Sequence, residues 1–127
     1  MSESDVEQLL GKPRLRTTNW ENDTMLLYRG LSLGFGKSGL LVHIGFGLPS
    51  QVFIGDVDLF GADNLRRAAD LDGSPMRNHV GFFVMPNLGI AFAGFGDIED
   101  DKAVIAFAEE LKDEFLVDCF QIELSEL

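Results

Sequence analysis

Residues able to do chemistry are few in this 127-residue chain, and their spacing decides what they can do. Gly34-Phe35-Gly36-Lys37-Ser38-Gly39 has the GxGxxG spacing of a dinucleotide site and contains the Gly-Lys-Ser of a phosphate loop. A dinucleotide site needs its last glycine to open a helix whose N-terminus faces the pyrophosphate, whereas Leu40 to Phe46 reads as a strand. The phosphate loop needs a glycine where the chain has Leu31, and Gly30 misses by one. The segment therefore reads as a tight turn between two strands.

His43 and His79 have no cysteine or acidic partner at metal-ligand spacing, and no motif places a serine or Cys119 beside either as a nucleophile. Cys119 has Asp118 and Glu123 near it, and negative charge raises a thiol's pKa. Asp56 and Asp58 stand two residues apart near a strand end, within reach of a hard cation, but without the alternating oxygens, central glycine and terminal glutamate of a calcium loop. No catalytic residue, metal site or cofactor is expected.

Two acidic groups remain: Asp97, Glu99, Asp100 and Asp101, then Glu109, Glu110, Asp113 and Glu114. Capping and the helix dipole account for part of the first group if a helix starts at Asp100 or Asp101. On such a helix Val104, Ala108, Leu111 and Phe115 form the apolar stripe, and the second group lies on the outer side. Glu109 and Asp113, like Glu110 and Glu114, would then repel at i,i+4. Repulsion kept on a stable helix suggests that the charge is used, so these eight acids are the candidate partner-binding residues.

The remaining pattern supplies the elements that must hold these groups. Ser4 with Glu7 has the form of a capping box for a first short helix, which Gly11 and Pro13 end. Residues 14 to 24 read as a polar loop. Met25 to Arg29, Leu31 to Phe35, Leu40 to Phe46 and Gln51 to Gly55 read as strands of an antiparallel meander, with Leu31, Leu33 and Phe35 on one face and almost nothing at Ser32 and Gly34 on the other. Asp63 caps a second helix through Leu71, and Asp72 to Pro75 stop it. Val80 to Met85 and Leu88 to Phe95 pair across Pro86-Asn87, and Val117 to Leu124 reads as a last edge strand. Gly11-Lys12-Pro13 and Gly73-Ser74-Pro75, each followed by glycine-punctuated strands, form a faint internal echo. The expected fold is one α+β domain over residues 1–127, an antiparallel sheet packed by the C-terminal helix and one or two shorter ones.

Apolar residues are 46% of the chain, eleven of them Phe, enough to fill one core without disulfides, and the single cysteine cannot form an internal bridge. The N-terminus has neither the basic start nor the apolar run of a secretory signal, and no stretch approaches membrane-spanning length, so a cytoplasmic bacterial protein is expected. Residues 1 to 50 carry five Lys/Arg against five Asp/Glu, and residues 51 to 127 carry five against sixteen. The whole net charge of −11 thus lies in the second part, where it repels nucleic acid and anionic membrane and favours a basic partner. Charge of this size also serves solubility alone.

In size, charge and element order the chain resembles bacterial immunity proteins of toxin and immunity systems. The resemblance implies an acidic inhibitor that covers the active or substrate-binding surface of a basic cognate toxin and performs no chemistry itself. The alternatives are an adaptor that self-associates through an apolar sheet face, and then a small-ligand binder or enzyme using Asp56, Asp58, His43 or His79.

Overall fold

The computed structural model describes residues 1–19, 21–48, 50–79, 81–95 and 102–127. The first helix, α1 (Glu3–Leu10), is capped by Ser2 and not Ser4: Ser2 Oγ accepts from the Asp5 N–H at 3.2 Å, and the Asp5 carboxylate accepts from the Ser2 N–H at 2.9 Å. Ser-x-x-Asp two residues upstream makes the same reciprocal box as Ser-x-x-Glu and starts the helix earlier. Gly11, at φ +80°, closes it by donating its N–H to the Glu7 carbonyl at 2.9 Å.

Strands β1 (Leu15–Thr18), β2 (Thr24–Tyr28), β3 (Leu31–Phe35) and β4 (Leu41–Gly47) follow as an antiparallel meander. A short hairpin, β5 (Phe53–Ile54) and β6 (Val57–Asp58), precedes helix α2 (Asn64–Asp72). Then come β7 (Met76–Arg77), β8 (Phe83–Met85), β9 (Ile90–Ala93) and β10 (Ala103–Phe107), a 3₁₀ turn at Glu109–Leu111, the one-turn helix α3 (Lys112–Phe115), β11 (Phe120–Gln121) and a last 3₁₀ turn at Leu124–Glu126. Among the described residues nine strands form one antiparallel sheet in the order β1-β2-β3-β4-β10-β9-β8-β7-β11, so the fold is α+β. No described helix is long and apolar enough to cross a membrane.

The element order is one helix and four strands, twice over: α1 with β1–β4, then α2 with β7–β10. The two sets meet at the antiparallel pair β4 and β10 and run outward in reversed order, as a local two-fold axis through that pair would give. Gly73 closes α2 as Gly11 closes α1, donating to the carbonyl four residues back, so the two glycines of the sequence echo do the same work.

Both helices cover one face. Leu26, Leu33 and Ile44 are cross-strand partners in turn, and with Val6 of α1 they form the smaller core. On the same face Phe46, Val104, Phe92 and Phe83 are successive partners, and the last three pack with Ala68 and Ala69 of α2 in the larger core, which also takes Val57, Leu59 and Ile122.

Besides the Ser4 cap, further expectations are corrected: the expected meander strand at Gln51 to Gly55 is the short β5, paired with β6 in a separate two-stranded sheet. The long C-terminal helix is absent: Ala103 to Phe107 form a central strand of the sheet, and only short turns follow. Five consecutive apolar residues, covered by neighbours on both edges, suit a central strand, and the helical spacing of Val104, Ala108, Leu111 and Phe115 is a coincidence of that run with the turn after it. The predicted loop at 14 to 24 contains β1, whose Leu15 and Thr17 pair with Leu27 and Met25. The predicted last strand shrinks to Phe120–Gln121.

Candidate partner-binding cleft

Of the eight candidate acids, Asp97, Glu99, Asp100 and Asp101 lie outside the described residues. Glu109 and Glu110 sit on the 3₁₀ turn and Asp113 and Glu114 on α3, all four exposed. The repulsion argument for them falls with the long helix, since they occupy two short turns anchored to the body. The anchors are specific. Ala108 donates its N–H to the Val42 carbonyl at 2.8 Å, and Phe115 stacks on Phe107 with centroids 4.3 Å apart and planes within 10°. Phe107 is the cross-strand partner of His43, on the sheet face away from α1 and α2, so the C-terminal turns cover part of that opposite face.

This placement builds a cleft of about 530 Å³ at the end of the β3–β4 hairpin. Glu110, Leu111, Glu114 and Phe115 form one side, and Asn19, Asp23 and the turn Gly36-Lys37-Ser38 form the other, with His43 between them. Glu109 and Asp113 do not line it, and Glu109 pairs with Lys112 at 3.7 Å. Asn19 shapes the opposite wall: its Oδ1 accepts from the Glu21 and Asp23 N–H groups at 2.9 and 3.0 Å, which holds Asp23 where it lines the cleft. Lys37 bridges that wall, with Nζ 2.8 Å from the Asp23 carboxylate and donating to the Glu21 carbonyl at 2.6 Å. Glu110 and Glu114 make no ion pair with any described residue, so they are the two carboxylates of the cleft left for a cation.

Gly34 on the bare face of β3 and Gly45 beside it on β4 have a specific use. The imidazole of His43 lies across Gly34, where a Cβ would meet Nε2 at 1.9 Å, and the Ser32 hydroxyl lies where a Cβ on Gly45 would stand, at 2.5 Å. Gly34-Phe35-Gly36-Lys37-Ser38-Gly39 is therefore a strand end, a β-bulge and a turn that leaves room for a histidine, as its strand reading requires. Burial pushes the His43 pKa below its ordinary value of 6.5, so the ring is neutral at neutral pH and adds no fixed charge to the cleft.

The other sequence candidates have local structural roles. Asp58 Oδ1 accepts from the Phe60 N–H at 3.0 Å in a turn, and Asp56 pairs with Arg67 at 3.4 Å. No group of three potential metal ligands occurs among the described residues. His79 and Cys119, unconnected in sequence, do line a common hollow of about 570 Å³ with Asn78, Asp118 and Phe120. The Cys119 thiol donates to the Phe115 carbonyl at 3.4 Å, and burial, then Asp118, push its pKa up, which keeps it protonated.

Sequence reasoning missed Asn19, Asp23 and Lys37 as parts of the cleft. The signal was present in Asn19-x-Glu21-Asn22-Asp23, whose asparagines favour side-chain-capped and left-handed turns; Asn22 has φ +64°. No known protein family, curated protein or solved structure matches the chain.

Proposed function

We propose that the chain is an acidic partner-binding protein that inhibits a basic cognate partner, a toxin of the kind its immunity-protein resemblance implies, by occluding that partner's active or substrate-binding surface. The observation that carries this reading is the cleft, in which Glu110 and Glu114, paired with no described cation, stand opposite Asp23, beside a half-buried His43 and Phe115. A cationic side chain entering it gains two carboxylates and aromatic surface, while the net charge of −11 draws a basic protein in from a distance. The reading involves no cofactor, nucleic acid or membrane and places the chain in the bacterial cytoplasm. Asp97, Glu99, Asp100 and Asp101 belong to it as further acids of the partner-binding set, with Glu109 and Asp113 contributing to the field and not to the cleft.

The test is co-expression with the product of the adjacent upstream gene. Wild-type chain is expected to form a stoichiometric complex with that basic protein and to neutralise its toxicity, and Glu110→Ala with Glu114→Ala to weaken both. A complex whose affinity and salt dependence ignore both substitutions removes the cleft from the reading, and absence of any complex removes the reading.

A second reading, self-association as an adaptor, has one observation in its favour. An apolar groove of about 210 Å³ runs beside α1, lined by Met1, Val6, Leu9, Leu10 and sheet residues, and Leu9 is 70% exposed. Sedimentation at several concentrations tests it: a mass that rises with concentration supports the adaptor, and a constant monomer mass rejects it.

A further inference from the structure

The pairing of β1 to β4 and β10 places two kinds of side chain on the face away from α1. Leu27 and Met25 of β2 stand on one side, Ile105 and Phe107 of β10 on the other, Phe107 lying against the stacked ring of Phe115, and Ser32, Gly34, Gly45 and His43 lie between them. These are cross-strand neighbours of one another, so they share a face, opposite to Leu26, Leu33 and Ile44. None of them belongs to either core, and Met25, Leu27 and Ile105 are only half-buried.

The middle of this face is low because two of its residues have no side chain, and His43 and Ser32 lie flat over those two positions. It is a shallow trough with apolar walls three strand spacings apart, about 14 Å, and a floor of hydroxyl, imidazole and backbone. Its end at His43 opens into the cleft that holds Glu110 and Glu114, because Phe107 leads through Ala108 directly into the acidic turn. An apolar-walled trough ending in unpaired carboxylates is complementary to a segment that carries apolar side chains along its length and a cation at its end.

Resting on the reading of the chain as a binder of a basic protein, we infer that this trough is the docking surface, and that its occupant is an extended or looped segment of the partner that lays alternate apolar side chains between β2 and β10 and sets an arginine or lysine against Glu110 and Glu114. Width and floor fit this occupant: 14 Å accommodates a loop or strand but not a second sheet, and Ser32 and His43 offer hydrogen bonds to an exposed main chain. Charge selects the partner's sign, and the walls select for apolar residues beside the cation.

The test uses two acetylated hexapeptides as probes, one alternating arginine and leucine and one of arginine alone, titrated into the ¹⁵N-labelled chain at low salt. The inference expects the alternating peptide to bind at least fivefold more tightly, to shift the amides of Ser32, Gly34, His43 and Gly45, and to lose most of its affinity in Glu110→Gln with Glu114→Gln. Ser32→Gln, which fills the trough without changing charge, is expected to weaken the alternating peptide and leave hexa-arginine unchanged. Should Ser32→Gln disturb the fold, as judged by its amide spectrum, the comparison of the two peptides on the wild-type chain decides alone. Equal affinities, or shifts confined to acids outside the cleft, overturn the trough while leaving a basic partner in place. No binding of either peptide at low salt overturns the trough, while the basic-partner reading is decided separately by the co-expression test.

Discussion

The two halves of the sheet share an element order but differ in how fully they are packed. Among the described residues, the core around α2 gathers ten that are buried, among them Phe92, Val104, Met85 and Leu59, and is thickened by the β5–β6 hairpin and Ile122. Around α1 it gathers four, Val6, Leu26, Leu33 and Phe35, and leaves an apolar groove. On the opposite face the contrast recurs: Val84 and Ala91 are fully buried on the side where the C-terminal turns lie, whereas Met25, Leu27 and Ser32 keep part of their surface in water. The second half thus supplies most of the hydrophobic stabilisation, and the first half leaves more of its apolar surface in water.

That division predicts a gradient of mutational effects. Phe92→Ala removes a fully buried ring from the larger core and is expected to cost about 4 kcal/mol in denaturant-induced unfolding, against about 2 kcal/mol for Val6→Ala beneath α1. Equal costs would break the comparison. Asp72→Ala should follow at about 3 kcal/mol: this buried carboxylate accepts from the Ser74 N–H at 3.1 Å and the Leu88 N–H at 2.8 Å, tying the end of α2 to the β8–β9 turn, and its loss leaves two donors unmatched. Asp72→Asn should recover part of that loss in the same measurement.

Smaller effects probe the open face. Gly34→Ala drives a Cβ into the imidazole of His43, which must swing aside, and is expected to cost about 1 to 2 kcal/mol. Adding His43→Ala should abolish most of that cost in a double-mutant cycle, and additive costs would contradict the stacked geometry. The smallest effect concerns pH. Because burial lowers the His43 pKa in the folded chain, protonation favours the unfolded state, so this residue's contribution is present above pH 6.5 and declines as the pH falls below it toward the folded value. Thermal unfolding of His43→Gln should show a shallower loss of stability over that range than wild type.

The α1 half was readable where periodicity and punctuation agree. Leu31, Leu33 and Phe35 alternate with Ser32 and Gly34 between two glycine turns, and the strand found, Leu31–Phe35, has the bounds the sequence implies. Helix α2 lies within a residue of its expected span for the same reason, although Asp63 precedes it in a left-handed conformation and makes no side-chain cap bond. The pattern misled at Ala103 to Phe107, because a strand buried between neighbours is apolar at every position, and such a run carries no period of its own. Of the candidate site, Glu110 and Glu114 were visible as charge, and His43 and Gly34 as residue types. Their meeting was not, since it depends on register across β3 and β4 and on a turn at 109–115 that packs through Phe115, which stacks with both Phe107 and Phe82. The wall at 21–23 was hidden because it is made by backbone held to one asparagine, Asn19.

The most direct test of the account is capture of the adjacent upstream gene's product on immobilised chain at low salt, comparing wild type with Glu110→Gln and Glu114→Gln together during elution in rising salt. The account predicts that wild type retains one basic protein in stoichiometric amount and that the double variant releases it at distinctly lower salt. Superimposable elution profiles, or no basic protein retained by wild type, would contradict it.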